Sequence, residues 1–306
     1  MKTCSYGMIG LGKMGGLAAE NVLSKGIKLA VYDMNQEQVQ SMERLGATGC
    51  HNLQEVIDAL PRPRILWLMV PAGDPVEQVL FGEGGLSTLL SAEDIVIDGG
   101  NSFYSDSVRR AQKLAEQGIK YLDSGSSGGQ AGARNGLCLM IGGDKEGFDQ
   151  AEALFKALTE GIGAYLYVGE SGTGHFTKMV HNAIEYGMLQ AIGEGFELLY
   201  EGPFELDLEK IAHLWTQGSI IRSYLMELME HSFSKDADLH QITGEVGGGS
   251  TGSWAIEEAW KLGVPFETIA TSYAARLRSR QEDTFAGKVV SALRNEFGGH
   301  AVVEKE

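Results

Sequence analysis

The chain has 306 residues, 43% of them hydrophobic, and a formal net charge of −16, with its 25 lysines and arginines scattered along the sequence. At roughly 150 residues per domain this is material for about two domains, and an acidic chain with no basic cluster is not built for nucleic acid. Three cysteines without a CxxC pair point away from a disulfide framework or a thiolate zinc site. The longest apolar run, "ILWLMV" (65–70), is too short to span a membrane. The first residues, "MKTCSYGMIG", carry no secretory pattern. A cytoplasmic protein with reduced thiols is expected, with neither a membrane nor a nucleic-acid partner. Such a chain binds a small anion only by gathering positive groups in a pocket.

In chain order, short apolar runs predict strands at 6–10, 28–33, 64–70, 94–99, 119–124, 137–142 and 164–169, with amphipathic helical patterns such as 105–118 between most of them. That alternation reads as an α/β, Rossmann-like, doubly wound parallel sheet. From about residue 172 the apolar residues recur at helical spacing. The segments 174–202, 207–218, 223–233, 253–263 and 265–298 are all expected to be helical. The expected organisation is a dinucleotide-binding domain over 1–172 and an all-helical C-terminal domain over 173–306.

The first strand runs into "GLGKMG" (10–15), followed by the helical "LAAENVLSKG". In a strand–loop–helix setting, GxGxxG predicts a dinucleotide site. Gly10 would make the turn, Gly12 would let a pyrophosphate approach, and Gly15 would allow helix–strand contact. Leu11, Lys13 and Met14 complete the loop, and the helix N-terminus would face the phosphates. Asp33 ends the second strand and can accept hydrogen bonds from ribose hydroxyls while repelling a 2′-phosphate, so NAD is preferred over NADP. Val70, at the end of the third predicted strand, is counted with the cofactor contacts.

Further on, "KMVHNAIE" (178–185) places Lys178, His181, Asn182 and Glu185 on one helix face. Met179, Val180, Ala183 and Ile184 fill the others, which suits a buried helix. The stripe could be a solvated face. On a buried helix, however, unpaired polar groups are costly unless they have a task. A lysine beside a cofactor cation can serve as a base, and a glutamate two turns away as a second proton carrier. In "DGGNSFYSDS" (98–107), Asn101 lies beyond a strand's carboxyl end, where it can meet both cofactor and substrate or merely shape a turn. "DSGSSGGQAGARNG" (123–136) is a Gly/Ser loop whose amides could cradle a carboxylate, or a surface turn.

Together "GLGKMG", "DGGNS", "SSGGQAGARNG", "GHFTKMVHNAIEYG" and "RNEFGGH" resemble the decarboxylating 6-phosphogluconate dehydrogenases, in order and over nearly the whole chain, in a short form of that family. The resemblance implies oxidation of 6-phosphogluconate to ribulose 5-phosphate and CO2, with a place in the pentose phosphate pathway or gluconate utilisation. It makes Lys178 the general base and later the acid, and Glu185 the proton donor to carbon, with no metal. Ser127, Gly128 and Gly129 match the carboxylate loop. Asn101, His181 and Asn182 match substrate contacts, and Tyr186 and Arg276 match phosphate contacts. Arg294 and His300 match a pair that reaches the phosphate of a neighbouring subunit, which implies a homo-oligomer, dimer or tetramer.

The loop "GGGSTGSW" (247–254) lacks the lysine of longer members and leaves Thr251 as its phosphate contact; unphosphorylated gluconate is then a conceivable substrate. Two rival functions share part of the pattern. A non-decarboxylating β-hydroxyacid dehydrogenase of the 3-hydroxyisobutyrate kind would have the cofactor loop and the helix lysine but needs no second acid. A cofactor-binding sensor without activity would need neither proton carrier.

Overall fold

A computed structural model describes residues 4–303, the side chain of residue 297 excepted. Among these, contacts divide the chain into two compact units, one up to His181 and one from Asn182 onward.

The first unit alternates strand and helix: β1 (Tyr6–Ile9), α1 (Lys13–Ser24), β2 (Leu29–Tyr32), α2 (Gln36–Arg44), β3 (Thr48–Gly49), α3 (Leu53–Asp58), β4 (Ile65–Leu68), α4 (Asp74–Phe81), α5 (Leu86–Leu89), β5 (Ile95–Asp98), α6 (Tyr104–Ala115), β6 (Lys120–Ser127), α7 (Gly129–Asn135), β7 (Cys138–Gly143), α8 (Lys145–Thr159) and β8 (Ala164–Gly169). The strands form one sheet in the order β3-β2-β1-β4-β5-β6-β7-β8. The order reverses at β1/β4, which is where doubly wound folds bind dinucleotides.

Burial follows the period of two. Met8, Val31, Trp67, Ile97 and Leu122 pack with α1, α2, α7 and α8 on one face. Their neighbours Ile9, Ala30, Leu66, Val96 and Tyr121 pack with α3–α6 on the other. Both faces are covered, so the strands read as continuous apolar runs rather than as alternating ones.

In this unit three details differ from the sequence expectation. β3 has only two residues and no apolar run to announce it. β7 runs antiparallel to β6; only ten residues, 128–137, join them, too few for the usual crossover of a parallel pair. The 123–136 segment, expected as a loop, is strand to Ser127 and helix from Gly129. The turn itself is confined to Gly128 and Gly129, at φ +111° and +58°, backbone that only glycine adopts freely.

The helix α9 (Thr173–Tyr200) begins in the first unit and continues into the second. The second unit adds α10 (Leu208–Thr216), α11 (Tyr224–Phe233), α12 (Ser250–Lys261), α13 (Glu267–Arg278) and α14 (Phe285–Gly298). The expected single run 265–298 is two helices: Asp283 takes φ +45°, and Thr284 caps α14 by accepting from Gly287 N at 3.2 Å. The unit's core is small: Phe196, Leu208, Ala212, Met226 and Phe233, with Phe196 5.1 Å from the Phe233 ring. Ile184, expected within a buried flank of α9, is 52% exposed, with no element among the described residues covering it. No helix among the described residues is long and apolar enough to cross a membrane.

Candidate active site

The glycine loop is shaped as its motif requires. Gly10 takes φ +92°, and a Cβ there would lie 2.9 Å from Val70 Cγ1 and 2.7 Å from the carbonyl carbon of Met69. A Cβ on Gly15 would collide with the Gly10 carbonyl. Gly12 is exposed, and a Cβ there would meet nothing within 4 Å, so this side of the loop is an open cradle. α1 starts at Lys13, with no side-chain cap and no acidic residue in its first turn. Lys13 and Met14 are therefore the first helical residues, and the unbonded N–H groups of a helix start suit an anionic pyrophosphate. Asp33 Oδ2 accepts from Leu11 N at 2.6 Å and its Oδ1 from Asn35 N at 2.8 Å. The carboxylate thus ties β2 to the loop and keeps further lone pairs for hydroxyl donors. These residues fit a dinucleotide: an open glycine cradle, an uncapped helix start and a strand-end acid.

Val70 and Asn101 belong to neighbouring loops, after β4 and β5. Val70 O lies 3.0 Å from the position a Cβ on Gly100 would take. Asn101 is exposed beside the buried Ser102, whose hydroxyl donates to Asp98 Oδ2 at 2.7 Å. Beneath both loops lies Arg110, fully buried. Its Nε donates to Glu77 at 2.8 Å, its Nη1 to Ser102 Oγ at 3.0 Å and to Asp98 at 3.4 Å. Tyr121 OH also donates to Asp98, at 3.0 Å, and burial pushes its phenol well above the ordinary value.

Lys178 is 8% exposed. Its Cβ lies against β6 at Gly125, where any side chain would collide with it. Its Nζ is 3.4 Å from His181 Nδ1, and His181 Nε2 is 3.0 Å from Ser127 Oγ. An imidazole between an amine and a hydroxyl can serve either state of the amine. With the proton on Nε2, it donates to Ser127 and accepts from an ammonium. With the proton on Nδ1, it accepts from Ser127 and donates to a neutral amine.

In the second unit, Tyr186 is 9% exposed and its hydroxyl lies 3.4 Å from Thr251 Oγ1. The Arg276 guanidinium sits 3.8 Å over the Tyr186 ring. Gly252 leaves room for that ring on α12, and Gly249 enters the helix at φ +137°. Arg280 donates from Nε to Val246 O at 2.7 Å and fixes the loop before α12. Asn182 and Glu185 are half-buried on α9. Arg294 and His300 are both exposed at the end of α14, where Gly299 turns the chain at φ +62° and His300 N donates to Arg294 O at 3.5 Å.

Residues 5–169 match the model of the NAD binding domain of 6-phosphogluconate dehydrogenase, and residues 174–304 that of the 6-phosphogluconate dehydrogenase C-terminal domain. The chain belongs to the 6-phosphogluconate dehydrogenase family.

Among family relatives, YqeC of Bacillus subtilis is 50% identical, covering 98% of this chain and 99% of its own. A Haloferax volcanii protein named NAD(+)-dependent, decarboxylating 6-phosphogluconate dehydrogenase is 42% identical over the same shares of the two chains. The 6-phosphogluconate dehydrogenase of Plasmodium falciparum aligns with a TM-score of 0.82 at 30% identity, covering 99% of this chain and 66% of that one. The Salmonella typhimurium 3-hydroxyisobutyrate dehydrogenase, at TM-score 0.75 and 20% identity, shares the fold.

Sequence reasoning passed over Arg110, Asp98 and Asp123, which hold the site's elements from below. A charged residue ending an otherwise apolar strand, as in "DIVIDG" and "IKYLDS", was the available sign.

Proposed function

We propose that this enzyme oxidises and decarboxylates 6-phosphogluconate to ribulose 5-phosphate and CO2 with reduction of NAD. The observation that carries the proposal is the buried Lys178, within reach of His181, which in turn meets Ser127. A dinucleotide held by the Gly10–Gly15 loop and Asp33 would supply the acceptor for the hydride that leaves C3 of the substrate. Lys178 takes the proton of the 3-hydroxyl as that hydride leaves, giving a β-keto acid. The bond from C2 to the carboxylate then breaks, and its electron pair moves toward the ketone oxygen. Lys178 returns its proton to that oxygen, leaving an enediol and CO2. Glu185 protonates the carbon that lost the carboxylate, which becomes C1 of ribulose 5-phosphate, while Lys178 takes the enol proton back and the ketone forms.

Around this chemistry, Ser127, Gly128 and Gly129 hold the substrate carboxylate, and Asn101, His181 and Asn182 its hydroxyls. Tyr186, Thr251 and Arg276 take the phosphate; their clustering supports this reading. The preference for NAD rests on Asp33 and agrees with the name of the Haloferax volcanii relative. We place the domain boundary between residues 172 and 173. We also propose a homo-oligomer in which Arg294 and His300 complete a neighbour's phosphate site. Exposed apolar side chains such as Ile220 (100%), Phe285 (79%) and Trp260 (68%) support an assembly.

The test offers NAD and NADP, each with 6-phosphogluconate and with gluconate, and measures CO2 released per reduced cofactor. NAD with 6-phosphogluconate should react fastest, with one CO2 per NADH. Reduction without CO2 would sink the decarboxylase.

A further inference from the structure

We infer that Asp123 is a positioning residue that sets the height and rotation of α9, and thereby the place of Lys178. This rests on the reading of Lys178 as the base. Asp123 is fully buried on β6, and its two carboxylate oxygens accept from two backbone amides at the start of α9: Oδ1 from Gly172 N at 2.7 Å and Oδ2 from His175 N at 2.8 Å. No ion pair is formed by Asp123 among the described residues. Its charge is met by the positive end of the helix.

Asp123, Gly125 and Ser127 share one face of β6, since strand side chains alternate. Each meets α9 in turn: Asp123 at 172 and 175, Gly125 at Lys178, Ser127 at His181. Two residues of strand advance about 6.6 Å and the three of helix between successive contacts about 4.5 Å, a difference of about 2 Å per step that side chains can span over this short stretch. Close packing reinforces the register. A Cβ on Gly174 would collide with Asp123 O, and one on Gly142 would fall 2.5 Å from Thr173 Oγ1 and 2.7 Å from Gly174 N.

A neutral cap would satisfy one amide. A carboxylate bonding two amides three residues apart fixes the helix along its axis and about it. A one-residue slip would turn Lys178 by about 100° away from Gly125.

The experiment compares wild type, Asp123→Asn, Lys178→Met and a stability control, Leu154→Ala, which opens the fully buried core of α8. Asp123→Asn should lower kcat by about 10²-fold, the scale of an ångström misplacement of a reacting group. KM for NAD should stay within about twofold. The deuterium isotope effect on kcat with 3-deuterated 6-phosphogluconate should rise as hydride transfer becomes limiting. Leu154→Ala should lower Tm and keep kcat. Equal loss of kcat in Leu154→Ala, or full kcat in Asp123→Asn, overturns the inference. If Asp123→Asn does not fold, Gly142→Ala presses on the same helical turn; the same split of kcat from KM upholds the inference and an unchanged kcat overturns it. Lys178→Met that still turns over removes the base and this inference with it. An inactive Lys178→Met beside a fully active Asp123→Asn removes this inference alone.

Discussion

The two units treat their apolar residues differently. In the first, both faces of the sheet are sealed, and Trp67, Phe155 and Leu66 are wholly buried. In the second, the apolar cluster is small, and Ile220, Phe285, Trp260 and Leu214 stand largely in solvent. The first unit has the core of a self-sufficient domain, whereas the second leaves large apolar side chains open, as the proposed assembly requires. The chemistry assigned to Lys178 should therefore respond to single substitutions of the buried groups that hold α9, and the proposed phosphate contacts should respond to the proposed assembly.

The largest effect should come from Lys178→Met, with kcat falling about 10²–10⁴-fold, the usual contribution of a positioned acid–base group, while NAD still binds by fluorescence titration. Glu185→Gln should impair turnover less. Next is Arg110→Met, which strands the buried Asp98 and should cost about 3–5 kcal/mol in denaturant unfolding. An unchanged midpoint would break the picture of a first unit held by that buried pair. Ile220→Glu combined with Phe285→Glu should lower the mass in light scattering and raise KM for 6-phosphogluconate more than KM for NAD. An unaltered mass would mean that the exposed face of the second unit has another use.

A smaller effect lies at Glu77, whose carboxyl is held below its ordinary 4.5 by hydrogen bonds from Arg109 and then Arg110. A depressed carboxyl stabilises the fold above its unfolded pKa, and that contribution disappears as pH falls through the lower folded value. The stability gap between wild type and Glu77→Gln should be flat above about pH 5 and close in acid. The smallest effect concerns the thiols. Cys138 is exposed while Cys4 and Cys50 are buried, and burial pushes the Cys50 thiol up to about 11. One thiol should react quickly with Ellman's reagent in the native protein and three after denaturation.

Sequence pattern revealed most of the first unit because sealed parallel strands leave unbroken apolar runs, and Gly10, Gly12 and Gly15 mark their turn by residue type. The pairing of Tyr186 with Thr251 and Arg276 became visible through family resemblance, since residues 65 and 90 positions apart carry no local period. β3, the reversal at β7 and the break before Thr284 escaped because each depends on a partner strand or a single turn. Asp123 escaped for a related reason: its meaning lies in two amides about fifty residues away.

The bond from Leu11 N to Asp33 Oδ2 carries a practical consequence. On the proposed reading of Asp33 as the residue that favours NAD, whoever sets out to retarget the protein to NADP will begin by replacing that aspartate, and will at the same stroke unfasten the glycine turn after β1. A successful redesign needs two substitutions where one looks sufficient: one to greet the extra phosphate, and one to give the orphaned amide a new acceptor.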